Sequence, residues 1–262
     1  MIRTYRAELV KLARRKVLLI TAAIVLVYGV GGAAIVVASA KPAAQSGPGR
    51  GLSLEQLGAA GGGTEIFRTA ASFAGTFLFV VFVGAMAVEF SRGTIRTMLL
   101  RQPRRVRLLA GKLAATLTFA AVALAATEGV TWLAARAIAP GKDVATGAWT
   151  SLDAVGAAFT DFGAVMLWII GYALLGTTVA VLLRSVPVAL AVGIAWAGPF
   201  EHLVQNAWTP AVKVFPGLLL EAFVAGGTQD ITTTRALATA SVYAVVAAVV
   251  ASIVFARRDV TA

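Results

Sequence analysis

The stretch EFSRGTIRTMLLRQPRRVRLLAGK, residues 89–112, lies between two long apolar runs and contains a single acid, Glu89. It also carries seven basic residues, namely Arg92, Arg96, Arg101, Arg104, Arg105, Arg107 and Lys112. In membrane proteins, loops rich in Lys and Arg stay on the cytoplasmic side. The stretch therefore predicts a membrane protein in which a basic, helix-prone segment faces the cytoplasm between two spans.

The overall composition also indicates a membrane protein. Hydrophobic residues make up 59% of the 262 residues, charged residues make up 13%, and the mean hydropathy is +0.85. A soluble domain carries about 25% charged residues. The net charge of +11 comes mainly from residues at the ends of apolar runs, so we expect no nucleic-acid partner. One histidine and no cysteine argue against a metal site and exclude disulfides.

Apolar runs of the length that crosses a bilayer, about 20 residues, recur along the chain. They predict six transmembrane helices, at Val17–Ala38, Thr69–Val88, Leu113–Ala135, Phe162–Leu183, Val188–Asn206 and Ala236–Ala256. The Gly-, Pro- and Ser-rich residues 41–65 are typical of a mobile loop, and residues 201–235 form a semi-polar external segment. We expect one all-α transmembrane domain over residues 1–262.

The distribution of basic residues predicts the orientation. Sixteen of the 23 Lys and Arg residues fall in four places, namely residues 1–16, residues 89–112, Arg184 and the tail at Arg257 and Arg258. The positive-inside rule then puts these places, and both termini, in the cytoplasm. Arg outnumbers Lys by 17 to 6 in an Ala- and Gly-rich chain, which is typical of a GC-rich bacterial genome. We expect a multi-pass protein of the bacterial inner (plasma) membrane.

Residues 1–16 have an amphipathic pattern. Ile2, Tyr5, Leu9 and Leu12 share one helical stripe, and basic residues occupy the other faces. This pattern predicts a helix that lies along the inner membrane surface. A basic flank that only orients the first span is the alternative.

The basic segment has its own helical pattern. Gly93-Thr94 breaks the second span, Ile95, Met98 and Leu99 recur at helical spacing, and Pro103 ends the short helix. A plain positive-inside anchor does not need this apolar stripe. We therefore interpret the segment as a docking element for a cytoplasmic partner, with the plain anchor as the alternative.

The order Glu89, Gly93-Thr94, Leu99-Leu100, Pro103, Arg107, Leu108-Leu109, Lys112 resembles the intracellular segment of type-2 ATP-binding-cassette (ABC) exporter permeases. The ending Phe255-Ala256-Arg257-Arg258-Asp259-Val260 is similar to the way such subunits finish. The resemblance implies a permease that pairs with a second copy or a paralogue and with a cytoplasmic ATPase dimer. It also implies a set of ATPase-coupling residues, namely Glu89, Arg92, Gly93, Thr94, Arg96 and Leu99, with Arg184 in a smaller second contact at Arg184–Pro187.

The chain has no phosphate-binding loop of the G-x-x-x-x-G-K-[ST] type, since Gly111-Lys112 is followed by Leu113 and Gly141-Lys142 by Asp143. We therefore expect a non-catalytic subunit that binds no cofactor, with ATP and Mg on the partner ATPase. The competing class is an ATP-independent secondary transporter, which would have inverted repeats and paired broken helices near the midplane. The sequence offers one candidate break, at Gly198-Pro199.

Three polar residues fall at membrane depth: Glu128, Glu201 and His202. Charged groups there usually face protein or water, so one hypothesis joins all three in a polar layer along the translocation path. The alternative, which we favour for Glu201 and His202, ends the fifth helix near Phe200 and leaves both wet at the outer interface. The Trp residues fall mostly near span ends, as is typical of interfacial anchors.

Overall fold

The structure, a computed structural model, describes residues 1–43, 51–72 and 74–257. Within these ranges the chain is built from helices and short connections, and one isolated bridge joins Lys41 to Ser53. The helices are α1 Ile2–Leu12, α2 Arg15–Ser39, α3 Leu54–Gly58, α4 Gly62–Ser72, α5 Gly75–Ser91, α6 Thr94–Arg101, α7 Arg105–Ile138, α8 Leu152–Leu183, α9 Val186–Ala195, α10 Glu201–Ala207, α11 Pro216–Val224 and α12 Thr233–Arg257.

Four of these helices, α2, α7, α8 and α12, are long and apolar enough to cross a membrane. The pair α4 and α5 adds a fifth candidate if it counts as one span bent by 58°. The protein is therefore an all-α membrane protein, as the sequence predicted. In the described ranges, four or five spans meet this test rather than the six predicted.

The predicted fifth span, Val188–Asn206, is divided. It is formed by α9, a π-helical turn at Trp196–Phe200 and α10. Pro199 lies inside the π turn, where it removes a backbone donor and widens the helix locally. The prediction that the helix ends near Phe200 is wrong, because it continues to Ala207.

The Gly-rich segment expected to be a mobile loop is partly helical. A capping box at Ser53 and Gln56 starts α3, and α4 starts at Gly62, before the predicted span. Gly63 lets α4 approach two indole rings, since a Cβ there would lie 2.8 Å from Trp132 and 2.9 Å from Trp149. Residues 44–50 of that segment lie outside the described residues.

The longest helices also begin earlier than predicted. Helix α7 starts at Arg105 rather than Leu113, inside the basic segment. Helix α8 starts at Leu152 rather than Phe162, where the Ser151 hydroxyl accepts a hydrogen bond of 3.2 Å from the Ala154 amide. A serine in this position is a favoured start signal. Polar residues in the first turns masked both starts in a hydropathy reading.

Helix α8 is the centre of the bundle and packs against α4, α5, α9, α11 and α12. Trp168 and Tyr172 are fully buried on it, with ring centroids 5.3 Å apart in an edge-to-face arrangement. Trp149 is also buried. The interpretation of the tryptophans as interfacial anchors is therefore wrong for Trp168 and Trp149, while Trp196 and Trp208 are exposed.

One end of the bundle collects the basic elements. The ring of Phe90, near the end of α5, lies 6.0 Å from that of Phe255 in α12, and the guanidinium of Arg184 lies 5.5 Å above the Phe90 ring. We call this the basic end; it comprises α1, α6, the first turn of α7, the turn at Arg184 and the last turn of α12. The opposite end carries α3, the first turns of α4 and α8, and α11. The tail at residues 258–262, which includes part of the permease-like ending, lies outside the described residues.

Candidate functional site

Helix α6 is a separate short helix at the basic end, between α5 and α7. It is set off from α5 by Gly93, whose φ of 67° lies in the left-handed region that favours glycine. The Thr94 hydroxyl donates to the main-chain oxygen of Glu89 at 3.1 Å and fixes the turn. At the other side, α6 ends at Arg101, ahead of Pro103. The break at Gly93-Thr94 and the stop before Pro103 are as the sequence predicted.

The apolar stripe of α6 faces the protein. Ile95 is fully buried, and Met98 and Leu99 pack against the core while partly exposed. The outward surface instead carries Leu100, which is 84% exposed, and a set of exposed arginines, namely Arg92, Arg96 and Arg101. The stripe that suggested a docking face is therefore mainly what attaches α6 to the bundle. Leu100 is the most exposed apolar residue of α6.

A buried ionic cluster lies directly beneath α6. The Nζ atom of Lys112 is 2.8 Å from Glu8 Oε1 and 3.1 Å from Glu89 Oε1. Lys11 also binds Glu89 and lies 3.7 Å from Glu8. Lys112, Glu8 and Glu89 are each less than 10% exposed. The two acids and two bases balance, so the cluster ties α1, α5 and α7 together without a net charge.

Helix α1 packs closely on α7 through this cluster. A Cβ at Gly111 would lie 3.0 Å from the Thr4 Cβ and 3.1 Å from the Met1 carbonyl oxygen, and the Tyr5 hydroxyl donates to Thr118 at 3.3 Å. The prediction of a helix within residues 1–16 is confirmed. Of its stripe, Tyr5, Leu9 and Leu12 are partly buried, while Ile2 is 69% exposed.

Arg184, predicted as part of a second and smaller contact, lies at the same end. It ends α8 in the left-handed conformation, with φ of 53°. Its position above the Phe90 ring puts it beside the α5–α6 turn. The structure thus brings together two places that are far apart in sequence. A shallow cleft nearby is lined by Pro103, Arg104, Arg105, Val106, Arg107 and Ala256.

At the opposite end, Glu201 is fully buried. Its carboxylate accepts hydrogen bonds from the Gly217 amide at 3.3 Å and the Leu218 amide at 2.9 Å. These amides start α11, so Glu201 caps that helix from α10, and the negative charge also suits the positive helix end. A Cβ at residue 217 would lie 2.4 Å from Glu201 Oε2, so glycine is needed there. The expectation that Glu201 is wet at the interface is wrong.

His202, the next residue, is exposed and lies 3.1 Å from Glu221 Oε2 in α11. Adjacent residues therefore have different surroundings, because successive side chains on a helix point in different directions. The exposure of His202 agrees with the alternative that leaves it wet, and its place at the outer membrane interface stays a prediction.

Glu128 lies in a third part of the molecule, away from the basic end and from the Glu201 cap. It lies on α7 in a cleft formed with α8 and the start of α4. In the part of the chain that the structure describes, no hydrogen bond or ion pair joins it to Glu201 or His202, and its Oε1 is buried without a hydrogen-bond partner. The structure therefore does not bring Glu128, Glu201 and His202 together in one polar layer.

Sequence reasoning missed a polar cluster near Glu128. Arg68 on α4 lies 3.3 Å from Asp161 Oδ1, and Thr64 donates to Asp161 Oδ2 at 2.9 Å. Arg68 Nε also donates to the Val224 carbonyl oxygen of α11 at 2.5 Å. The signal was the four-residue spacing of Thr64 and Arg68, which places both on one helical face. Thr64, however, falls in the predicted loop at residues 41–65, and Arg68 lies between that loop and the predicted span.

The comparison with protein families gives one result. A family profile described as "Protein of unknown function (DUF2705)" matches residues 52–261, so the chain belongs to that family. No curated protein matches the chain.

Proposed function

We propose that the chain is the transmembrane subunit of an ATP-driven exporter of the type-2 ABC class. The observation that carries this proposal is the construction of α6, which is a short, separately folded helix fastened to the bundle and bearing exposed arginines and Leu100. A loop that served only as a charge anchor would not need such a fastening. The resemblance of residues 89–112 to permease coupling segments supports the same proposal.

For topology, we propose six spans with both termini in the cytoplasm of a bacterial inner membrane. The second span is the bent pair α4 and α5, and the fifth is the divided helix from α9 to α10. The positive-inside distribution of the 23 Lys and Arg residues supports this orientation. It puts α6 and Arg184 in the cytoplasm, where an ATPase is accessible.

For mechanism, α6 receives force from a cytoplasmic ABC ATPase dimer that binds ATP and Mg. Because α6 connects α5 to α7, displacement of α6 moves two spans together. The Glu8–Lys11–Glu89–Lys112 cluster transmits that movement to α1, and the Arg184–Phe90 contact transmits it to the α8–α9 turn. A second permease copy or a paralogue completes the translocation path.

The coupling residues divide into two roles in this proposal. Contact with the ATPase falls to the exposed groups, Arg92, Arg96 and Leu100, with Leu99 and Arg184 at the margin. Glu89, Gly93 and Thr94 are positioning residues, because Glu89 is buried and all three shape the turn before α6. The basic contact surface calls for an acidic groove with an apolar centre on the ATPase.

The test is purification of the tagged chain from its native membrane, followed by measurement of vanadate-sensitive ATP hydrolysis in the eluate. We expect ATPase activity with the wild type and loss of most of it with Arg96→Glu or Leu100→Asp. Arg235→Glu is the matched control, since Arg235 is an exposed arginine at the start of α12, at the opposite end. Wild-type ATPase recovery with both α6 variants would refute the coupling role.

A secondary transporter is the second candidate. Two helices are interrupted, α4–α5 by a bend of 58° and α9–α10 by a π turn, and paired broken helices are a feature of that class. Uptake driven by an ion gradient in proteoliposomes that contain only this chain would favour it. The exporter proposal expects no such uptake without the ATPase and ATP.

A further inference from the structure

A cleft of about 450 Å³ opens at the end of the bundle opposite α6. Its walls come from α7, from the first turns of α8 and from the start of α4, and they include Thr64, Ala125, Glu128, Trp132, Trp149 and Ala158. The volume lies within the range of sites for small organic molecules, about 300–1,000 Å³. The cleft is separate from the basic end and from the Glu201 cap.

Glu128 is the one ionisable residue in this lining. Its Oε1 is buried and has no hydrogen-bond partner among the described residues. A carboxylate withdrawn from water is costly unless it is paired. Arg68 does not fill this role, because it is held by Asp161 and by the Val224 carbonyl, and Asp161 adds negative potential at Glu128. A cation in the cleft would supply a partner for this carboxylate.

Two indole rings give the cleft an aromatic wall. Trp132 and Trp149 both pack against Gly63, and Trp149 Nε1 donates to the Leu57 carbonyl oxygen at 2.8 Å. Trp149 is buried and therefore held in place before any ligand arrives. The guanidinium of Arg136 lies 5.1 Å from the centre of the Trp132 ring, so this ring already interacts with a cation. Tryptophan faces attract cations strongly, and organic cations most of all.

We propose that this cleft binds an organic cation with an apolar body, such as a quaternary ammonium or phosphonium compound. The charge pairs with Glu128, and the apolar groups lie against Trp132, Trp149 and the alanine-lined walls. Binding itself does not depend on the ATPase. The reading of the ligand as a transported substrate rests on the proposed function.

The first test is equilibrium dialysis of the purified full-length chain in detergent against tetraphenylphosphonium. Tetraphenylborate is the matched ligand, because it has a similar shape and the opposite charge. We expect saturable binding of the cation. Binding of the anion should be weaker than that of the cation by about tenfold or more. Equal binding of both ions would overturn the proposal, since partition into the detergent or an apolar surface would then explain the result.

The second test uses variants of the cleft. Glu128→Gln removes the charge opposite the cation and should weaken tetraphenylphosphonium binding roughly tenfold or more, whereas Glu128→Asp keeps the charge and should retain part of the affinity. Glu221→Gln is the control, since Glu221 is a partly buried acid that pairs with His202 away from the cleft. Unchanged affinity in Glu128→Gln would refute the proposal.

Two further measurements keep the result interpretable. Ala125→Phe fills the cleft while Glu128 remains, and it should abolish cation binding. This variant provides an independent test in case Glu128→Gln proves poorly folded. Arg96→Glu should bind the cation like the wild type. Saturable cation binding together with no vanadate-sensitive ATPase activity in the eluate from native membranes would support the cleft and refute the exporter. ATPase activity together with no saturable cation binding would refute the cleft and support the exporter.

Discussion

Two acidic sites at opposite ends of the bundle differ in how their buried charge is satisfied. At the basic end, Glu8, Lys11, Glu89 and Lys112 form a closed set in which each charge has a partner. At the other end, Glu128 lines a cleft with a buried oxygen that has no hydrogen-bond partner in the described structure. A fully paired cluster stabilises one arrangement of helices, whereas a carboxylate with an open side is suited to a ligand. The comparison separates a site whose charges are satisfied within the protein from one with an unsatisfied buried oxygen.

The largest effect should come from breaking the paired cluster. Lys112→Met leaves Glu8 and Glu89 buried with the half-exposed Lys11 as the remaining cation of the cluster, and loss of one partner of a buried pair costs about 3 kcal/mol or more. We expect this loss in the free energy of unfolding, measured by denaturation in detergent and SDS mixtures. Lys142→Met, at an exposed lysine of the opposite end, should change stability by less than about 0.5 kcal/mol.

A double-mutant cycle sharpens this result. Combining Lys112→Met with Glu8→Gln removes one base and one acid, so the double variant should be more stable than the sum of the single changes by about 1 kcal/mol or more. Strict additivity would show that the four charges do not act as one cluster. It would also remove the proposed connection between α1 and α6.

The second effect concerns the capped helix at the opposite end. Glu201→Ala leaves the Gly217 and Leu218 amides buried without their acceptor, which should destabilise the protein by about 1–3 kcal/mol. His202→Ala should have a much smaller effect, because His202 is exposed. The pair of adjacent variants, compared by thermal unfolding in one detergent, tests whether Glu201 is a structural cap. Equal stability of the two variants would contradict that role.

The sequence predicted the class of fold better than it predicted the sites. Apolar runs are long and local, so they located the spans to within a few residues at Ser39, Leu183 and Arg257. Starts at Gly62, Arg105 and Leu152 were missed because glycines and charged residues open those helices. Hydropathy cannot tell that Gly63 is a packing position, since this depends on Trp132 and Trp149 from other elements.

Partners of charged residues were the least predictable part. Glu89 was selected from its local pattern, but its burial depends on Glu8, Lys11 and Lys112, which come from two other helices. The local sequence surrounds Glu89 with basic residues but does not tell which of them pair with it, nor that Glu128 Oε1 is buried without a hydrogen-bond partner among the described residues. Long-range packing decides both, and that information is absent from a single sequence.

The third effect tests the turn that sets α6 apart. Gly93→Ala forces a side chain into the left-handed region, which costs roughly 1–2 kcal/mol. Because a Cβ there meets no neighbour, the effect should come from backbone strain alone, and Gly93→Asn should be milder. Thermal unfolding of the two variants checks this order. Equal melting temperatures for wild type and Gly93→Ala would show that the turn relaxes without strain.

The smallest effect on stability is expected at Glu128, and it should be neutral or stabilising where the other substitutions destabilise. Because its Oε1 is buried without a hydrogen-bond partner among the described residues, Glu128→Gln removes a partly desolvated charge and should leave stability unchanged or raise it by up to about 1 kcal/mol. Glu89→Gln, the same chemical change in the paired cluster, should lower the stability, since Lys11 and Lys112 then lose one of their two acids. Tetraphenylphosphonium should raise the melting temperature of the wild type and of Glu89→Gln but not of Glu128→Gln, because ligand binding stabilises only a protein with an intact site. If both glutamine variants lose stability alike, Glu128 is a structural residue and the contrast between the two ends fails.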